Sequence, residues 1–394
     1  MQQEQTVVII GAGVFGVGSA IALRARGWSV TLVDPSPLPT PHPRASSTDI
    51  SKAVRMDYGG DLLYVELAEE AIEHWQRWNR HWERPLYHQD GFLMMSQRPL
   101  TAGDFEYDGF NLLQRRGQPV QRIDAQRLAE RFSSWSPTRY VDGYFNPTGG
   151  WAESGKVLAW MISEAARHGV TLLGGARFER LLENDRQVSG VQLTDGRRVE
   201  ADAVLVAAGA WTPKLLPWLG DRMKTVGQQV LHFKPRDATP FLPNQFPVWG
   251  ADISRTGWYG FPANAEGVVK VGHHGAGIEI DPDHERDVDA AHEAACREFL
   301  ADSFPALARA EIVGKRVCLY CDSFDGDFWI DRDPQRAGLV VAAGGSGHGF
   351  KFAPLVGEWV ADRVEGKSIQ GQQRFGWREA TSRRAEQARF VPKN

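Results

Sequence analysis

The first forty residues alternate apolar runs with turn residues in the manner of a βαβ unit. Thr6 to Ile10 is a short β-branched run, which predicts a strand buried on both faces. After a glycine-rich turn, Val17 to Arg26 predicts a helix and Ser29 to Val33 predicts a second strand, all within about 30 residues. Pro35 to Pro43 is too rich in proline for regular structure and predicts an extended loop.

The rest of the chain predicts further helices and two more buried strands. Apolar residues recur at spacings of three and four from Asp61 to Trp82, which indicates an amphipathic helix. Ala203 to Ala208 and Gly338 to Ala343 are apolar runs of the buried parallel type. From Ser368 onward the chain is polar and basic, as in a surface helix or tail. Helices are also predicted over Glu153 to His168, over the charged stretch Asp283 to Leu300, and after the last buried strand as far as Arg363.

The pattern of residues 225 to 273 differs, because strands there alternate with proline and glycine turns. It predicts an antiparallel sheet with one exposed face. Since two parallel-type strands lie far from the N-terminus, the nucleotide domain is expected to be discontinuous, with the antiparallel part inserted as a second lobe. The predicted fold class is α/β (α+β), with a Rossmann-like dinucleotide-binding domain over 1–85, 146–220 and 318–394 and a mainly antiparallel substrate-binding domain over 86–145 and 221–317.

Composition and charge fit a soluble protein of two lobes and argue against several other classes. The chain has 394 residues, more than one hydrophobic core usually serves, with 42% apolar and 24% charged residues. A formal net charge of −4 gives no electrostatic reason to expect nucleic acid or an anionic membrane as a partner. No stretch approaches the roughly 18 apolar residues of a membrane helix, and the sequence shows neither a signal peptide nor a peroxisomal S-K-L address. A cytoplasmic protein is expected.

Gly11, Gly13 and Gly16 form a G-x-G-x-x-G motif between the first predicted strand and helix. Such glycines allow a tight turn, close approach of the backbone to a pyrophosphate, and tight packing of helix on strand. The helix N-terminus then offers free N–H groups and a partial positive charge to the phosphates. Asp34 ends the second strand about 20 residues further on, where a carboxylate can accept from a ribose hydroxyl and disfavours NADP. The motif alone leaves NAD and FAD open.

Two C-terminal stretches carry the most specific signal. CLYCDSFDGDFWIDRDP (Cys318 to Pro334) and LVVAAGGSGHGFKFAPLVGEW (Leu339 to Trp359) resemble the monomeric sarcosine oxidase and fructosyl-amino-acid oxidase family, within the wider D-amino-acid-oxidase-like group. Cys318 precedes Lys351 by 33 positions (351 − 318), a spacing that matches the family pattern. The resemblance runs from the N-terminal βαβ unit to Arg363 and implies FAD rather than NAD as the cofactor.

The chain has three cysteines, too few for a disulfide framework and typical of a reducing compartment. The resemblance implies that Cys318 carries a thioether bond to the flavin 8α-methyl group, formed when a thiolate attacks an electrophilic carbon. A buried apolar filler is the alternative for Cys318, and Cys321 stays open as the attachment residue if the register is shifted. One C-x-x-C pair does not complete a zinc site, which needs about four ligands.

The glycine-rich loop Gly344 to Gly349 opens the last predicted helix. Its backbone amides, those of Gly345, Gly347 and Gly349 among them, are expected to face the flavin N1–C2 edge, where negative charge accumulates on reduction. Lys351 lies in the first turn of that helix, where the dipole is already positive, and such a local violation points to a function. The resemblance implies that Lys351 binds the substrate carboxylate near the flavin. A solvated surface lysine is the alternative.

Two more segments resemble cationic parts of the family's site. In SSTDISKAVRMDYG (Ser46 to Gly59), Lys52 stands where sarcosine oxidases have the first of two arginines, and Arg55 stands at the second. Arg55 thus matches a residue whose planar fork can hold a carboxylate, whereas Lys52 is more like the fructosyl-amino-acid enzymes.

GFPANAEGVVKVGHHGAG (Gly260 to Gly277) resembles the family's strand with the oxygen-activating lysine, which Lys270 matches, and His274 matches a substrate-side histidine. A fixed cation beside the ring stabilises the superoxide that the first electron transfer to O2 produces. A lysine on an exposed strand face is the alternative. His273 and His274 have no further ligands at metal spacing, so no metal is expected.

Together these features predict an FAD-dependent amine oxidase for a secondary α-amino acid, such as an N-methyl, fructosyl or cyclic one. Arg55 and Lys351 would hold the carboxylate, hydride would move to flavin N5, the imine would be hydrolysed, and O2 would reoxidise the flavin to give H2O2. Lys52, Lys270 and His274 are the catalytic candidates. The expected partners are the small-molecule substrate and O2, and a monomer is expected. The alternatives are a flavin dehydrogenase with another acceptor, a flavin-binding module without turnover, and an NAD-dependent dehydrogenase.

Overall fold

The computed structural model describes residues 4–380 and 388–390. Its strands are β1 (Thr6–Ile10), β2 (Ser29–Asp34), β3 (Lys52–Val54), β4 (Tyr87–His88), β5 (Phe92–Ser96), β6 (Gln121–Arg122), β7 (Asp142–Asn146), β8 (Gly150–Ala152), β9 (Thr171–Gly174), β10 (Phe178–Asn184), β11 (Gln187–Leu193), β12 (Arg198–Glu200), β13 (Ala203–Val206), β14 (Met223–Lys234), β15 (Val248–Ala251), β16 (Trp258–Gly260), β17 (Val269–His273), β18 (Ile278–Glu279), β19 (Glu311–Ser323), β20 (Trp329–Arg332) and β21 (Leu339–Ala343).

Its helices are α1 (Val14–Ala25), α2 (Leu62–Asn79), α3 (Phe105–Arg115), α4 (Ala125–Arg131), α5 (Ser154–Arg167), α6 (Thr212–Leu215), α7 (Ile253–Thr256), α8 (Ala290–Ser303), α9 (Pro305–Ala308), α10 (Ala353–Val364) and α11 (Gln372–Phe375). Short 3-10 turns occur at Gly209–Trp211, Pro217–Leu219, Thr239–Phe241 and Gly349–Phe352. Within the described residues, no helix combines the length and the apolar character needed to cross a membrane.

The predicted βαβ unit is the centre of a six-stranded sheet in the order β20-β21-β13-β1-β2-β9. The pairs β1–β2, β1–β13, β13–β21 and β2–β9 are parallel, whereas β20 at the edge pairs antiparallel. β13 and β21 are buried throughout and β1 nearly so, as expected for strands covered on both faces. The apolar runs predicted far from the N-terminus therefore lie beside β1 in one sheet.

The second large sheet has nine strands. Eight follow the order β18-β14-β17-β16-β15-β5-β7-β6, and the ninth, β19, pairs with β14 on the edge opposite β17. Its pairs are antiparallel apart from β15 with β5. The sheet differs from the exposed face expected over residues 225 to 273, since every residue of β15 and every residue but one of β17 is buried. Phe92 and Met94 pack on one side with Val65 of α2, while Leu93 packs on the other with Leu300 of α8. The sheet is therefore covered by α2 on one face and by α8 on the other.

The observed bounds of α2 and α8 differ from the predicted ones. α8 begins at Ala290 rather than Asp283, because the Asp289 side chain accepts a hydrogen bond from Ala291 N and caps the helix there. Asp61 caps α2 by accepting from Tyr64 N, and α2 ends before the predicted residue 82. The last predicted helix begins with a 3-10 turn that contains Lys351. Of the predicted C-terminal surface helix or tail, residues 381–387 and 391–394 lie outside the described residues.

The chain passes between the two large sheets several times. β1 and β2 lie in the six-stranded sheet, β5 to β7 lie in the nine-stranded sheet, and β13 returns to the first. β19 pairs with β14 along its whole length, so the boundary predicted at residue 318 falls inside a strand. The division of the chain into domain segments stays a prediction.

Candidate active site

A cavity of about 420 Å³ lies at the carboxyl ends of β1, β2 and β21, bounded on another side by β19. Ligands of open α/β sheets bind at this edge, and ordinary ligand pockets have volumes of about 300–1,000 Å³. Its walls therefore come from both large sheets. Eight of the predicted site residues line it: Gly11, Gly13, Asp34, Lys52, Cys318, Gly345, Gly347 and Gly349.

The turn between β1 and α1 uses glycine where a side chain cannot fit. Gly11 has a φ of +105°, and a Cβ there would lie 2.7 Å from the Ala207 carbonyl oxygen. A Cβ on Gly16 would overlap the Gly11 carbonyl oxygen, so Gly16 serves the packing of α1 on β1 rather than the cavity wall. Asp34 Oδ2 accepts from Ala12 N at 2.8 Å, which ties the end of β2 to this turn.

The loop 344–349 follows β21 and lies directly on β19. Gly344 and Gly347 have φ values of +68° and +81°, and Ser346 adopts +42°, a conformation that costs a non-glycine residue about 1–3 kcal/mol. Hydrogen bonds of Ser346 Oγ with Ser323 N at 3.2 Å and with the Gly344 carbonyl at 3.1 Å hold it. A Cβ on Gly347 would overlap the Tyr320 ring, so only glycine permits this close approach.

Cys318 and Cys321 lie three residues apart on β19, so their side chains point to opposite faces of the strand. Lys52 Nζ donates to Cys318 Sγ at 3.3 Å. Burial opposes ionisation of the Cys318 thiol, but the positive charges of Lys52 and Arg316 outweigh burial and lower its pKa. Cys321 Sγ instead lies 3.7 Å from Met223 Sδ, and burial raises its pKa to about 12. Of the two, Cys318 is therefore the one disposed to ionise.

Lys270 is buried on β17, which rules out the exposed-face alternative. Its Nζ donates to Asp49 Oδ2 and to the Ser51 carbonyl, both at 2.6 Å. Burial lowers the pKa of Lys270 to about 8, although the Asp49 carboxylate alone would raise it. Burial would raise the pKa of Asp49, but Lys270 and His232 hold it well below its usual range. His232 Nε2 lies 3.3 Å from Asp49 Oδ1, and His232 is the cross-strand partner of Lys270.

Arg55 and Lys351 lie against the same ring, that of Tyr58. The Arg55 guanidinium carbon is 5.4 Å and the Lys351 Nζ is 4.9 Å from the ring centroid. Lys351 is 4% exposed, which rules out a solvated surface lysine, and its Nζ donates to Tyr58 OH at 2.8 Å. Arg55 is also buried, and its guanidinium lies over the Phe92 ring and donates to the Asp57 carbonyl. Both of the cations predicted to hold the substrate carboxylate therefore lie against one aromatic ring.

His274 is buried after β17, and its ring centroid is 5.9 Å from that of Tyr320. Tyr320 follows Cys318 by two residues on β19 and also lies 5.3 Å from the Arg389 guanidinium. Arg389 pairs with Asp322 at 2.9 Å and donates to the Ser346 carbonyl at 3.0 Å. His274 therefore lies on the Tyr320 side of β19, where the C-terminal residues dock.

Several residues that complete the site were missed by the sequence reasoning. Asp49 and Tyr58 lie in the segment of Lys52 and Arg55 and could have been suspected from that proximity. Tyr320 could have been found from strand periodicity, since it shares a face with Cys318. His232 and Arg389 offer no local signal, because strand register and C-terminal docking bring them to the site.

The adjacent histidines are accounted for by packing. His273 Nε2 lies 2.9 Å from the Thr256 carbonyl, and its ring packs on Trp258. In the part of the chain that the structure describes, no cluster of three or more His, Cys, Asp or Glu side chains is arranged to hold a metal ion.

Comparison with known proteins gives a consistent result. A family model described as FAD dependent oxidoreductase (DAO) matches residues 6–363. The chain is 28% identical over 369 residues to monomeric sarcosine oxidase of Bacillus sp. (strain NS-129), covering 92% of this chain and 93% of that protein. It is 29% identical over 419 residues to L-saccharopine oxidase of Schizosaccharomyces pombe, with 95% and 94% covered. The crystal structure of the deglycating enzyme fructosamine oxidase (Amadoriase II) from Aspergillus fumigatus superposes with a TM-score of 0.81 at 25% identity, covering 100% of this chain and 94% of that one.

Proposed function

The chain belongs to the FAD dependent oxidoreductase family, and from this premise we propose that it oxidises a secondary, N-substituted α-amino acid and passes the electrons to O2. The match to this family confirms the relationship that was inferred from the glycine motif and the C-terminal loop. Sarcosine and saccharopine, which two of the relatives are named for, each combine a secondary amine with a carboxylate. The observation that carries the proposal is that Arg55 and Lys351 are both buried against the Tyr58 ring, because two buried cations in one neighbourhood suit a carboxylate.

The residues around the cavity fit FAD. Gly11 and Gly13 leave no side chain between the cavity and the N-terminal end of α1, where backbone N–H groups favour a pyrophosphate. Asp34 at the end of β2 suits a ribose hydroxyl, and the left-handed residues of loop 344–349 bring backbone amides to the flavin end. When bound, FAD supplies the acceptor for the two substrate electrons and later passes them to O2, which yields H2O2.

We further propose that the cofactor is attached covalently through Cys318. A thiolate is the reactive form of cysteine, and the Lys52 contact at 3.3 Å favours it. Cys321 lies on the opposite face of β19, and its pKa of about 12 leaves it protonated at neutral pH. Both observations favour Cys318 over Cys321 as the attachment residue.

The cationic residues have separate tasks in the proposed reaction. Arg55 and Lys351 bind the carboxylate and orient the substrate, and such positioning can lower a barrier by several kcal/mol. The substrate amine must be neutral before the hydrogen of the α-C–H bond can leave with both bonding electrons. Nearby positive charges disfavour the protonated amine, so the same cations promote its neutral form. We assign His274, on the Tyr320 side of β19, to orienting the amine.

Lys270 is proposed to provide the fixed positive charge for the reaction with O2. Asp49 and the Ser51 carbonyl hold its Nζ in one place, so no reorganisation is needed as negative charge develops. The Lys52 charge acts on both Lys270 and Cys318. We assign Lys52 to the same face of the cofactor.

We also propose that the enzyme works as a monomer in the cytoplasm. The three cysteines are unpaired and buried, which fits a reducing compartment. The relative from Bacillus is named a monomeric oxidase, which fits a single-chain active site.

The proposed function is tested by mixing the holoenzyme anaerobically with sarcosine, saccharopine, pipecolate and a fructosyl amino acid. At least one should bleach the flavin absorbance, while the matched primary amines glycine and lysine should not. Admitting O2 should restore the colour with one H2O2 per turnover. Failure of every secondary amine to bleach the flavin would sink the proposal. Bleaching without H2O2 would instead establish a dehydrogenase with another acceptor.

A further inference from the structure

A chain of hydrogen bonds leads from the Lys351 ammonium into the protein interior. Lys351 Nζ donates to Tyr58 OH at 2.8 Å, and Tyr58 OH lies 3.0 Å from His348 Nδ1. The other ring nitrogen, His348 Nε2, lies 3.0 Å from the Gly326 carbonyl oxygen. Lys351 Nζ also donates to the His348 backbone carbonyl at 2.9 Å. His348 therefore acts on this ammonium twice, directly through its backbone and through Tyr58 by its side chain.

The direction of each bond in this chain follows from its chemistry. The Gly326 carbonyl can only accept, so His348 Nε2 carries a proton. In a neutral imidazole Nδ1 is then the acceptor, and the Tyr58 hydroxyl must donate to it. With its hydrogen committed to His348, the Tyr58 oxygen turns its lone pairs to the Lys351 ammonium. Each member thus orients the next.

The surroundings of His348 favour the neutral ring. Its side chain is 5% exposed and stacks on Phe328 with ring centroids 4.9 Å apart and planes at 24°. Tyr64 covers it edge-on at 5.0 Å. A positive charge on this buried ring would also lie close to the Lys351 ammonium, so both burial and the like charge oppose it.

We infer that Tyr58 and His348 are positioning residues that hold the Lys351 ammonium toward the substrate carboxylate by a one-way hydrogen-bond relay anchored on the Gly326 carbonyl. The inference rests on the proposed function only in taking Lys351 as a carboxylate-binding group. Neither residue needs to touch the reacting atoms. The relay explains how a flexible lysine side chain, buried at the start of a helix, is kept in one orientation.

Binding of acetate, followed by the change in flavin absorbance of the holoenzyme, measures the role of the relay. Tyr58→Phe removes the hydroxyl and should weaken acetate binding about tenfold, the scale of one hydrogen bond to a charged group. His348→Leu should have an effect of similar size, whereas His348→Asn, whose amide oxygen can replace Nδ1, should recover most of the affinity. Acetamide, which lacks the charge, should bind all variants alike.

A double-mutant cycle separates the relay from ordinary packing. Because both side chains act through the Tyr58 hydroxyl, Tyr58→Phe with His348→Leu should bind acetate within about twofold of Tyr58→Phe alone. The inference would be overturned if the double variant lost acetate affinity by the product of the two single losses. It would also be overturned if acetate and acetamide lost affinity equally.

A measurement that does not depend on ligand binding distinguishes failure of the relay from failure of the proposed carboxylate role of Lys351. In the holoenzyme labelled with 15N-histidine, the signals that vanish in His348→Asn should show a neutral ring protonated at Nε2. A ring protonated at Nδ1, or charged at neutral pH, would overturn the relay whatever acetate does. If the tautomer is as expected but Lys351→Met binds acetate as tightly as the parent, the carboxylate role fails and the relay stands.

Discussion

The buried and half-buried cations around the cavity differ in the group that each contacts. Lys270 faces the Asp49 carboxylate, and Lys52 faces the Cys318 thiol. Lys351 contacts the neutral oxygens of Tyr58 and of the His348 backbone. A cation paired with a carboxylate suits a fixed charge, a cation beside a thiol promotes the thiolate, and the Lys351 hydrogen bonds fix the position of its ammonium. The partner of each lysine therefore indicates its task.

The attachment residue can be tested with two substitutions on one strand. Cys318→Ser should abolish covalent flavin, because serine is far less nucleophilic than the thiolate that Lys52 favours. Cys321→Ser should keep it, since Cys321 lies on the other face of β19. The readout is flavin fluorescence in the protein band of a denaturing gel after acid precipitation. Covalent flavin in Cys318→Ser but not in Cys321→Ser would reverse the assignment.

The rate of flavin reoxidation should depend on the ionisation of Lys270. Its pKa of about 8 means that the cation is present below that pH and is lost above it, so the rate with O2 should fall as pH rises through about 8. Asp49 acts to raise this pKa, and Asp49→Asn should therefore move the fall to lower pH. Lys270→Met should slow reoxidation below about pH 8, where the parent carries the charge, and should abolish this fall with pH.

Stopped-flow mixing of the reduced enzyme with O2 provides the measurement. Lys234→Met, which removes an exposed lysine from the neighbouring strand β14, is the control for loss of one positive charge and should leave the profile unchanged. A rate in Lys270→Met equal to that of the parent would show that the charge is supplied elsewhere.

Glycine determines how closely the elements around the cofactor cavity approach one another. A Cβ on Gly16 would overlap the Gly11 carbonyl where α1 meets β1. A Cβ on Gly357 would likewise overlap the Gly18 carbonyl where α10 crosses α1. α1 is thus held on both sides by contacts of backbone against backbone, and these contacts place its N-terminal end at the cavity.

Gly16→Ala should therefore damage the cofactor site as well as the fold. We expect a loss of about 1–3 kcal/mol in the free energy of unfolding, typical of overpacking, together with weaker FAD binding. Gly60→Ala is the matched control, because no atom lies within 4 Å of the Cβ it would add. Denaturant unfolding and FAD titration of both variants in the Cys318→Ser background measure the two effects. Equal stability of the two variants would contradict this account of α1 packing.

At the scale of the whole molecule, the cavity is shared by two sheets that the chain visits repeatedly. Gly11 and Asp34 belong to the six-stranded sheet, and Cys318 belongs to the nine-stranded sheet. A dinucleotide bound in this cavity would contact both sheets, so its binding energy would contribute to holding them together. Covalent attachment would make that contribution independent of the concentration of free cofactor.

Thermal unfolding should therefore respond to FAD in one variant and not in the parent. In Cys318→Ser, added FAD should raise the unfolding temperature, with a stabilisation of about 2.7 kcal/mol at a hundredfold excess over Kd. In the parent with attached flavin, added FAD should change nothing. Differential scanning calorimetry at several FAD concentrations measures this. A parent that responds as strongly as the variant would argue against attachment.

The sequence predicted most of the fold and of the cofactor site because the signals are local. The strand of residues 6–10 and the glycine turn after it follow from neighbouring residues, and Gly11 and Gly13 of the motif lie at the cavity as their spacing implies. The start of α8 was misplaced, since one capping aspartate, Asp289, outweighed the charged pattern before it. The expectation of an exposed sheet face over residues 225 to 273 failed because periodicity within a strand does not reveal which other element covers it.

By itself, the sequence determined the βαβ unit, because that unit depends on residue types at short, regular spacings. The cofactor class and the cationic candidates followed from the resemblance of longer segments to a known family. Only the tertiary structure decided which group each cation contacts. Asp49 meets Lys270 across 221 residues, and Tyr58 meets Lys351 across 293. Such pairs form where strand register and lobe packing bring distant segments together, and no spacing along the chain records that meeting.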